Sequence, residues 1–224
     1  GGVWLGIATL ALAVWGLGMA IAACGGGDGG GSSGGGGSSD ASVTVEDALI
    51  LGATVTDGNT SIKTATDSNN DGTYNFSGAA TMPVSVVSGN TLDANNQVTG
   101  TVVSYQDLDG SGTYTVGDVP FNGSWTVSYP MGTTTGRIRI NPLTALIPAT
   151  WDGTSDVAGI SAAMLSSAVS KGMPASGDIS TSAKTMREIA AKLTVLTETL
   201  VQMGAAPTQV GAILQQMGSD TSGT

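Results

Sequence analysis

The sequence predicts a mainly β protein, an antiparallel sandwich followed by a small α-helical C-terminal part. Three observations carry this prediction. The 224-residue chain contains 35 Gly but only 4% aromatic and 11% charged residues, a composition typical of short strands joined by many turns. Apolar and hydroxyl residues alternate in short segments from residue 41 to about residue 150. Beyond that point the apolar period changes from two residues to about 3.6, which is the period of a helix.

Residues 41–150 are predicted to form the β-sandwich domain. The segments between turn signals are short, and most place apolar side chains at every second position, as a half-buried strand does. Clusters of Asp, Gly, Asn and Ser, such as 57–59 and 88–90, separate these segments. The predicted strands are 49–56, 73–76, 83–87, 98–105, 124–129 and 136–140.

Residues 151–224 are predicted to form the helical C-terminal region. Asp156 is expected to cap a first helix, which ends before Gly172. Ser182 is expected to cap a second helix that stops at Gly204, and Thr208 to open a third. Each helix carries one apolar stripe, so the helices form either a small bundle or a layer packed on the sandwich.

The first 24 residues are predicted to be a signal peptide or membrane anchor. No charged residue occurs from Val3 to Ala23, and an apolar run of that length is long enough to cross a bilayer as a helix. The run is longer than the usual apolar stretch of a signal peptide, and the expected positive start is missing. Because the sequence begins with Gly1, we expect a few preceding residues, including Lys or Arg.

Ile21-Ala22-Ala23-Cys24 resembles the lipobox of bacterial lipoproteins, in which an aliphatic and two small residues precede Cys. The resemblance implies cleavage before Cys24 and covalent lipid on its sulfur, with several acyl chains giving a stable anchor. An uncleaved transmembrane helix is the alternative. Residues 25–40 are predicted to form a flexible Gly/Ser linker, and polyglycine after the Cys is similar to outer-membrane lipoproteins of proteobacteria. The expected location is the outer membrane or cell surface of a Gram-negative bacterium.

The composition excludes several classes of function. The chain contains no His and a single Cys, which excludes nucleophile systems that depend on His, imidazole-ligated metals and a disulfide within this sequence. Seven basic residues against 17 acidic ones give a formal net charge of −10. That charge repels phosphate backbones, so nucleic acid is not an expected partner, whereas cations are favoured.

The sharpest motif for a metal is DLDGSGTYTVGD at residues 107–118. Oxygen ligands fall at positions one, three, five and twelve, with Gly at position six, which is the spacing of an EF-hand calcium loop. The flanking segments are predicted strands rather than helices. Because Asp and Gly between strands also form ordinary turns, a plain turn is the alternative. The predicted Ca²⁺ ligands are Asp107, Asp109, Ser111, Thr113 through its carbonyl, and Asp118.

A second loop at 67–73 begins with a similar spacing of oxygen ligands, and its weaker metal candidates are Asp67, Asn69 and Asp71. GATV at 52–55, TD at 66–67 and DGTYNF at 71–76 together resemble the pattern of carboxypeptidase-regulatory-like and related bacterial surface modules. That resemblance implies an immunoglobulin-like or transthyretin-like sandwich, in which Asp-Gly makes a tight turn and the Tyr and Phe alternate into the core. It implies little about function.

The expected function is a non-enzymatic, surface-tethered interaction or structural module that binds Ca²⁺, with an extracellular or periplasmic protein or glycan as its unknown partner. A carbohydrate-binding or adhesion module is one alternative, and a carboxylate-dependent hydrolase is another. Asp107 and Asp109 lie on one loop, however, and so do not flank a substrate. Six aromatic residues would serve either a sugar-stacking platform or the core, and their scarcity favours the core: Tyr105, Tyr114, Phe121, Trp125, Tyr129 and Trp151.

Overall fold

The computed structural model describes residues 40–46, 49–59 and 64–221. The predicted anchor, the lipidation site Cys24 and the linker through residue 39 lie outside these residues. Within the described ranges, no helix combines the length and the apolar character that crossing a membrane requires.

Twelve strands, each of two to four residues, occupy the described part of the chain up to residue 140. Their brevity agrees with the many turn signals in the sequence. The strands are β1 (Ser42–Val45), β2 (Leu49–Leu51), β3 (Thr54–Thr56), β4 (Thr64–Ala65), β5 (Thr73–Asn75), β6 (Ala80–Thr81), β7 (Val84–Val87), β8 (Tyr105–Asp107), β9 (Val119–Pro120), β10 (Ser124–Val127), β11 (Thr133–Thr134) and β12 (Arg137–Ile140).

The described strands form four small sheets, and all four contribute residues to one core. The largest sheet has the order β10-β7-β3-β4, and all of its pairs are antiparallel. The others are β12-β1-β5, β2-β8-β9 and the pair β11-β6. Alternate residues such as Val43 on β1 and Val84 on β7 are buried in one apolar cluster. The predicted mainly β class with a sandwich-like core is confirmed.

One strand pair departs from the predicted antiparallel arrangement. β1 lies in the middle of its sheet, antiparallel to β5 and parallel to β12, with Val43 opposite Ile138. The first described strand therefore pairs with the last one. An ion pair between Glu46 and Arg139 lies at the end of this pair, and the Glu46 carboxylate also accepts a hydrogen bond from the Met173 N–H.

A 3-10 turn (Thr144–Leu146) and three helices follow, α1 (Ala162–Ser170), α2 (Thr181–Gln202) and α3 (Pro207–Thr221). The predicted small helical part is thereby confirmed, and the helices pack on the strands rather than only on one another. On α3, Gln215 Nε2 donates to the carbonyls of Thr126 on β10 and of Ala145. Buried helix residues, including Leu165 and Leu214, belong to the same apolar cluster as the strands.

The predicted strand at 49–56 is two strands in different sheets, because the chain bends at Gly52. β2 pairs with β8, whereas β3 pairs with β7. Gly52 has a φ of +65°, and a Cβ at this position would lie 1.9 Å from the Val103 carbonyl oxygen. Both the left-handed conformation and the close approach of the backbone therefore require Gly.

The predicted strand at 98–105 is wrong over most of its length. A single bridge at Val98 precedes β8. Asn90 supplies the hydrogen bonds that a neighbouring strand would otherwise make, because its Oδ1 accepts from the N–H groups of Val103 and Ser104. Its Nδ2 donates to the carbonyls of Ser104 and Phe121. One amide side chain thus positions the segment that leads into β8.

The helix starts differ from the predicted ones by up to five residues. α1 begins at Ala162 because the Ala158–Gly159 pair has positive φ and turns the chain first. Asp156 still accepts a hydrogen bond from the Ala162 N–H at 2.9 Å, so it caps the helix across that turn. The cap of α2 is Ser180 instead of Ser182.

Candidate metal site in an acidic hairpin loop

The predicted calcium loop connects β8 to β9, which are antiparallel neighbours, so the loop is the turn of a β-hairpin. Asp107 is the last residue of β8, and Asp118 directly precedes β9. Pairing of β8 with β2 on its other side fixes the base of the hairpin in a sheet. The flanks are strands, as the sequence predicts, in place of the helices of an EF-hand.

Asp107 organises the first half of the loop. Its side chain is buried, and Oδ1 accepts hydrogen bonds from the N–H groups of Gly110 (2.8 Å) and Ser111 (3.2 Å). Oδ2 accepts a third from Gly112 at 2.8 Å. Gly110 and Gly112 both have a φ of +72°, and such left-handed residues let successive N–H groups converge on one anion. The loop backbone therefore fixes the position of this carboxylate.

Asp118 organises the second half of the loop in the same way. It is buried, and its Oδ1 accepts from the Leu108 N–H at 2.9 Å, which joins the end of the loop to its start. Its Oδ2 accepts from the Thr115 N–H at 2.7 Å and lies 3.0 Å from the Thr115 hydroxyl. That hydroxyl is also 2.8 Å from Asp109 Oδ2. Thr115 was not among the predicted ligands, although it lies at position nine, which is a ligand position of a calcium loop.

The structure brings together three of the predicted ligands, Asp107, Asp109 and Asp118. One carboxylate oxygen from each lies within 4.8 Å of the other two, and no second group of this kind occurs in the described ranges. The other two predicted ligands bond to each other, since Ser111 Oγ donates to the Thr113 carbonyl at 2.8 Å. The site is therefore a carboxylate triad at the edge of a hairpin turn.

The pKa of one triad member and the pKa of a neighbouring tyrosine depart from their ordinary values. Hydrogen bonding from Ser111, whose N–H donates to Asp109 Oδ1, and from the Thr115 hydroxyl lowers the pKa of the exposed Asp109 to about 2. Asp109 is therefore ionised at neutral pH. Burial, followed by the charge of Asp107, raises the pKa of the neighbouring Tyr105. The triad thus concentrates negative charge beside a neutral phenol.

The donor set fits a hard divalent cation. Ca²⁺ takes six to eight oxygen ligands in a flexible geometry, from carboxylates, hydroxyls, carbonyls and water. Asp107 Oδ2 and Asp118 Oδ1 each accept one hydrogen bond, which leaves each oxygen a second lone pair for an ion. Carboxylates within 4.8 Å repel one another, and a bound cation would relieve that repulsion. Asp at position twelve is shorter than the usual Glu.

The weaker candidate loop at 67–73 is a separate turn beside the first. Asp67 accepts two backbone hydrogen bonds within the turn, at 3.0 and 3.2 Å, and Asp71 accepts one at 2.9 Å. Asn69 is exposed. None of these three belongs to the carboxylate triad. The two loops do touch, because Asn70 Nδ2 donates to the Gly112 carbonyl at 3.2 Å.

The six aromatic candidates form three edge-to-face pairs, with ring centroids 5.0 to 5.4 Å apart. Phe121 and Trp125 are fully buried, and Trp125 Nε1 donates to Thr197 Oγ1 on α2 at 3.2 Å. Tyr114 is the strongly exposed member, at 45% of its surface. The expected core role is confirmed for the buried rings, which leaves little aromatic surface for stacking on a sugar. The pairs are Tyr105–Tyr114, Phe121–Trp125 and Tyr129–Trp151.

Comparison with protein-family models, with curated proteins and with solved structures found no match in any of the three. The resemblances to bacterial lipoproteins and to carboxypeptidase-regulatory-like modules therefore stay predictions. What the hairpin loop is able to do follows from its own geometry and charge.

Proposed function

We propose that this chain is a non-enzymatic lipoprotein of a Gram-negative outer membrane or cell surface, whose β-rich part is an interaction module stabilised by Ca²⁺. The observation that most supports calcium is the carboxylate triad, in which two members come from the start of one loop and the third from its end. An ion bound to all three would cross-link the loop and stiffen it. Such a loop presents a fixed surface to a partner.

The absence of His from the sequence and the placement of the acids support a non-enzymatic role. Asp107 and Asp109 lie two residues apart on one loop, and Asp107 is held by three backbone hydrogen bonds. A hydrolase that uses two carboxylates needs them on opposite sides of the scissile bond. Turnover of a glycoside or ester by the purified chain, lost in Asp109→Asn, would overturn this part of the proposal.

The calcium proposal is tested by thermal unfolding of the full chain in nonionic detergent, in excess EDTA and in millimolar Ca²⁺. A ligand at about one hundred times its dissociation constant adds roughly 2.7 kcal/mol to the free energy of unfolding. For a chain of this size that raises the Tm by several degrees. Asp109→Asn removes one charge at an exposed ligand, so we expect the rise in Tm to be largely lost in this variant.

Asp93→Asn is the matched control for the calcium melt. Asp93 is also exposed, and it also accepts backbone N–H groups within a turn, from Asn95 and Gln97. It lies outside the triad, so this variant keeps the Ca²⁺-dependent rise. Equal Tm values with EDTA and with Ca²⁺ in the unmodified chain would reduce the loop to an ordinary turn.

The tether is tested at Cys24 by mass spectrometry of the protein extracted from its native membrane. The lipobox resemblance implies a mature chain that begins at a lipidated Cys24. Recovery of an intact segment 3–23 with an unmodified Cys would establish a transmembrane anchor in its place. Either result leaves the calcium proposal untouched, because the hairpin loop lies in a different part of the chain.

A further inference from the structure

Exposed apolar side chains are concentrated on the hairpin that carries the carboxylate triad. Ten large apolar residues are strongly exposed in the described part of the chain, and half of them fall within residues 103–119. Val116 is the most exposed of the ten and lies between Thr115 and Gly117 in the turn. These five residues define the hairpin surface: Val103, Leu108, Tyr114, Val116 and Val119.

Hydrogen bonds and one ring contact hold Leu108, Tyr114 and Val119 on the hairpin, and Val116 lies in its turn. The Leu108 N–H donates to Asp118, the residue before Val119. Val119 on β9 pairs with Gln106 on β8. The Tyr114 ring lies 5.4 Å from the Tyr105 ring, across the hairpin. Four of the five exposed apolar groups therefore lie on one hairpin, and Val103 lies just before its first strand.

The packing of the core does not explain why these apolar side chains are present. The core closes without them, since the buried cluster contains Phe121, Trp125 and the strand residues but none of the hairpin surface. Scattered exposed apolar residues are ordinary on a protein surface, whereas a group of them marks a place of contact with another molecule. The turn itself is already fixed by the hydrogen bonds of Asp107 and Asp118.

The charge around the hairpin surface has one sign. Residues 64–136 contain six Asp and no Lys or Arg. The three triad acids lie within the hairpin, and the loop at 67–73 brings Asp67 and Asp71 beside it through the contact of Asn70 with Gly112. These five acids outnumber the two positive charges of one bound Ca²⁺. The hairpin surface is thus apolar and negative with or without the ion.

We propose that the hairpin surface docks a cationic and apolar peptide segment of a partner protein. Apolar side chains of the partner would cover Leu108 and Val116, while Lys or Arg would lie against Asp109 and the loop at 67–73. The exposed Tyr114 ring offers a further contact to a cation. This inference rests on the proposed role as an interaction module, but it does not depend on Ca²⁺ binding.

The test measures binding of fluorescent twelve-residue Lys/Leu peptides, in strand and helix patterns, to the full chain in nonionic detergent. Matched peptides carry Glu in place of Lys, or Ser in place of Leu. Loss of two exposed aliphatic contacts weakens binding by about tenfold or more, so we expect that loss in the double variant Leu108→Ser/Val116→Ser. The control Val195→Ser/Met203→Ser removes two other strongly exposed apolar groups, one on α2 and one at its C-terminal cap, and keeps the affinity.

Four outcomes would overturn the inference. Two concern the peptides: neither Lys/Leu peptide binds at about 1 mM, or the Glu or Ser peptides bind as tightly as the Lys/Leu peptides. Two concern the protein: both double variants lose the same affinity, or the chain self-associates through Leu108 and Val116. Measurements in EDTA and in Ca²⁺ separate the two proposals. Binding that depends on the hairpin surface without any Ca²⁺-dependent rise in Tm leaves this inference standing alone. A rise in Tm without such binding leaves only the calcium site.

Discussion

The hairpin around the triad and the region where helices cover β10 are built from different interactions. In the hairpin, buried carboxylates accept backbone N–H groups, and apolar side chains point to solvent. Under the helices the apolar groups are buried and the backbones approach closely. There, Trp125 is fully buried, and a Cβ on Gly211 would lie 2.5 Å from Thr126 Oγ1.

This difference separates the residues that stabilise the fold from those available for binding. Burial of a large side chain contributes several kcal/mol to stability, whereas an exposed apolar side chain contributes little to it and remains free to contact another molecule. We therefore expect substitutions under the helices to lower stability. Substitutions on the hairpin surface should alter binding and leave stability nearly unchanged.

The largest expected effect is that of Trp125→Ala. It removes a fully buried indole and the hydrogen bond to Thr197, so we expect a loss of about 3–5 kcal/mol in the free energy of unfolding. The hairpin counterpart is Tyr114→Ala, which removes a half-exposed ring and should cost less than about 1 kcal/mol. Urea denaturation of both variants provides the measurement. Equal losses would break the comparison between the two regions.

Gly218→Ala tests close packing beneath the last turns of α3. A Cβ at Gly218 would lie 1.7 Å from the Leu146 carbonyl oxygen, so the helix has to shift, at a cost of about 1–3 kcal/mol. Gly177→Ala is the matched control, because a Cβ there has no heavy atom within 4 Å. The control should unfold at the same urea concentration as the unmodified chain. An unchanged free energy of unfolding in Gly218→Ala would show that α3 does not pack tightly at this point.

The stability of the folded state should change with pH in opposite directions through groups in the two regions. Burial raises the pKa of Glu198, which accepts hydrogen bonds from Asn122, above its ordinary 4.5. The folded state therefore binds the proton more tightly, and stability rises as the pH falls from that raised pKa toward 4.5. The pKa of Asp109 is about 2 against an ordinary 3.8, so its contribution is present above 3.8 and is lost as the pH falls toward 2.

Melting curves of Glu198→Gln and Asp109→Asn across this pH range separate the two responses. In Glu198→Gln, the rise in stability as the pH falls toward 4.5 should be smaller than in the unmodified chain. In Asp109→Asn, the fall in stability below pH 3.8 should be smaller. The size of both effects is expected to be smaller than that of Trp125→Ala. A Glu198→Gln profile that runs parallel to that of the unmodified chain above pH 4.5 would contradict the assigned role of Glu198. Glu46 contributes to the same gain, since burial raises its pKa as well.

The smallest expected effect on stability is that of Val116→Ser. Val116 is fully exposed in the turn, so the free energy of unfolding should change by no more than about 0.5 kcal/mol. The thermal melt of this variant is the check. A large loss would mean that the hairpin surface serves folding, which would remove the reason for assigning it to a partner.

Much of the fold could be predicted from the sequence, because local patterns determined it. The alternation at 73–76, 83–87 and 124–129 predicted strands, and the 3.6-residue period predicted three helices. The segments at 49–56 and 98–105 were not predictable in the same way. The first depends on the close approach of Gly52 to Val103, and the second on hydrogen bonds that Asn90 Oδ1 accepts from residues more than ten positions away. Contacts of this kind leave no period in a sequence.

The candidate site was predictable to the extent that its ligands lie on one loop. The spacing identified Asp107, Asp109 and Asp118, and the structure brings them together. The Ser111 to Thr113 hydrogen bond and the part played by Thr115 were missed, because spacing gives ligand positions but not hydrogen-bond partners. The hairpin surface was missed too, since alternating apolar residues near a strand also predict burial.

The parallel pairing of β1 with β12 has a consequence for the order of folding. Ser42 is opposite Arg137, so the middle strand of this sheet gains its second partner only after most of the chain is available. Until then one side of β1 is an open edge, able to pair with another chain. Contacts so far apart in sequence form slowly. We therefore expect a chain that stops before β12 to aggregate, and the complete chain to close this sheet among its last steps.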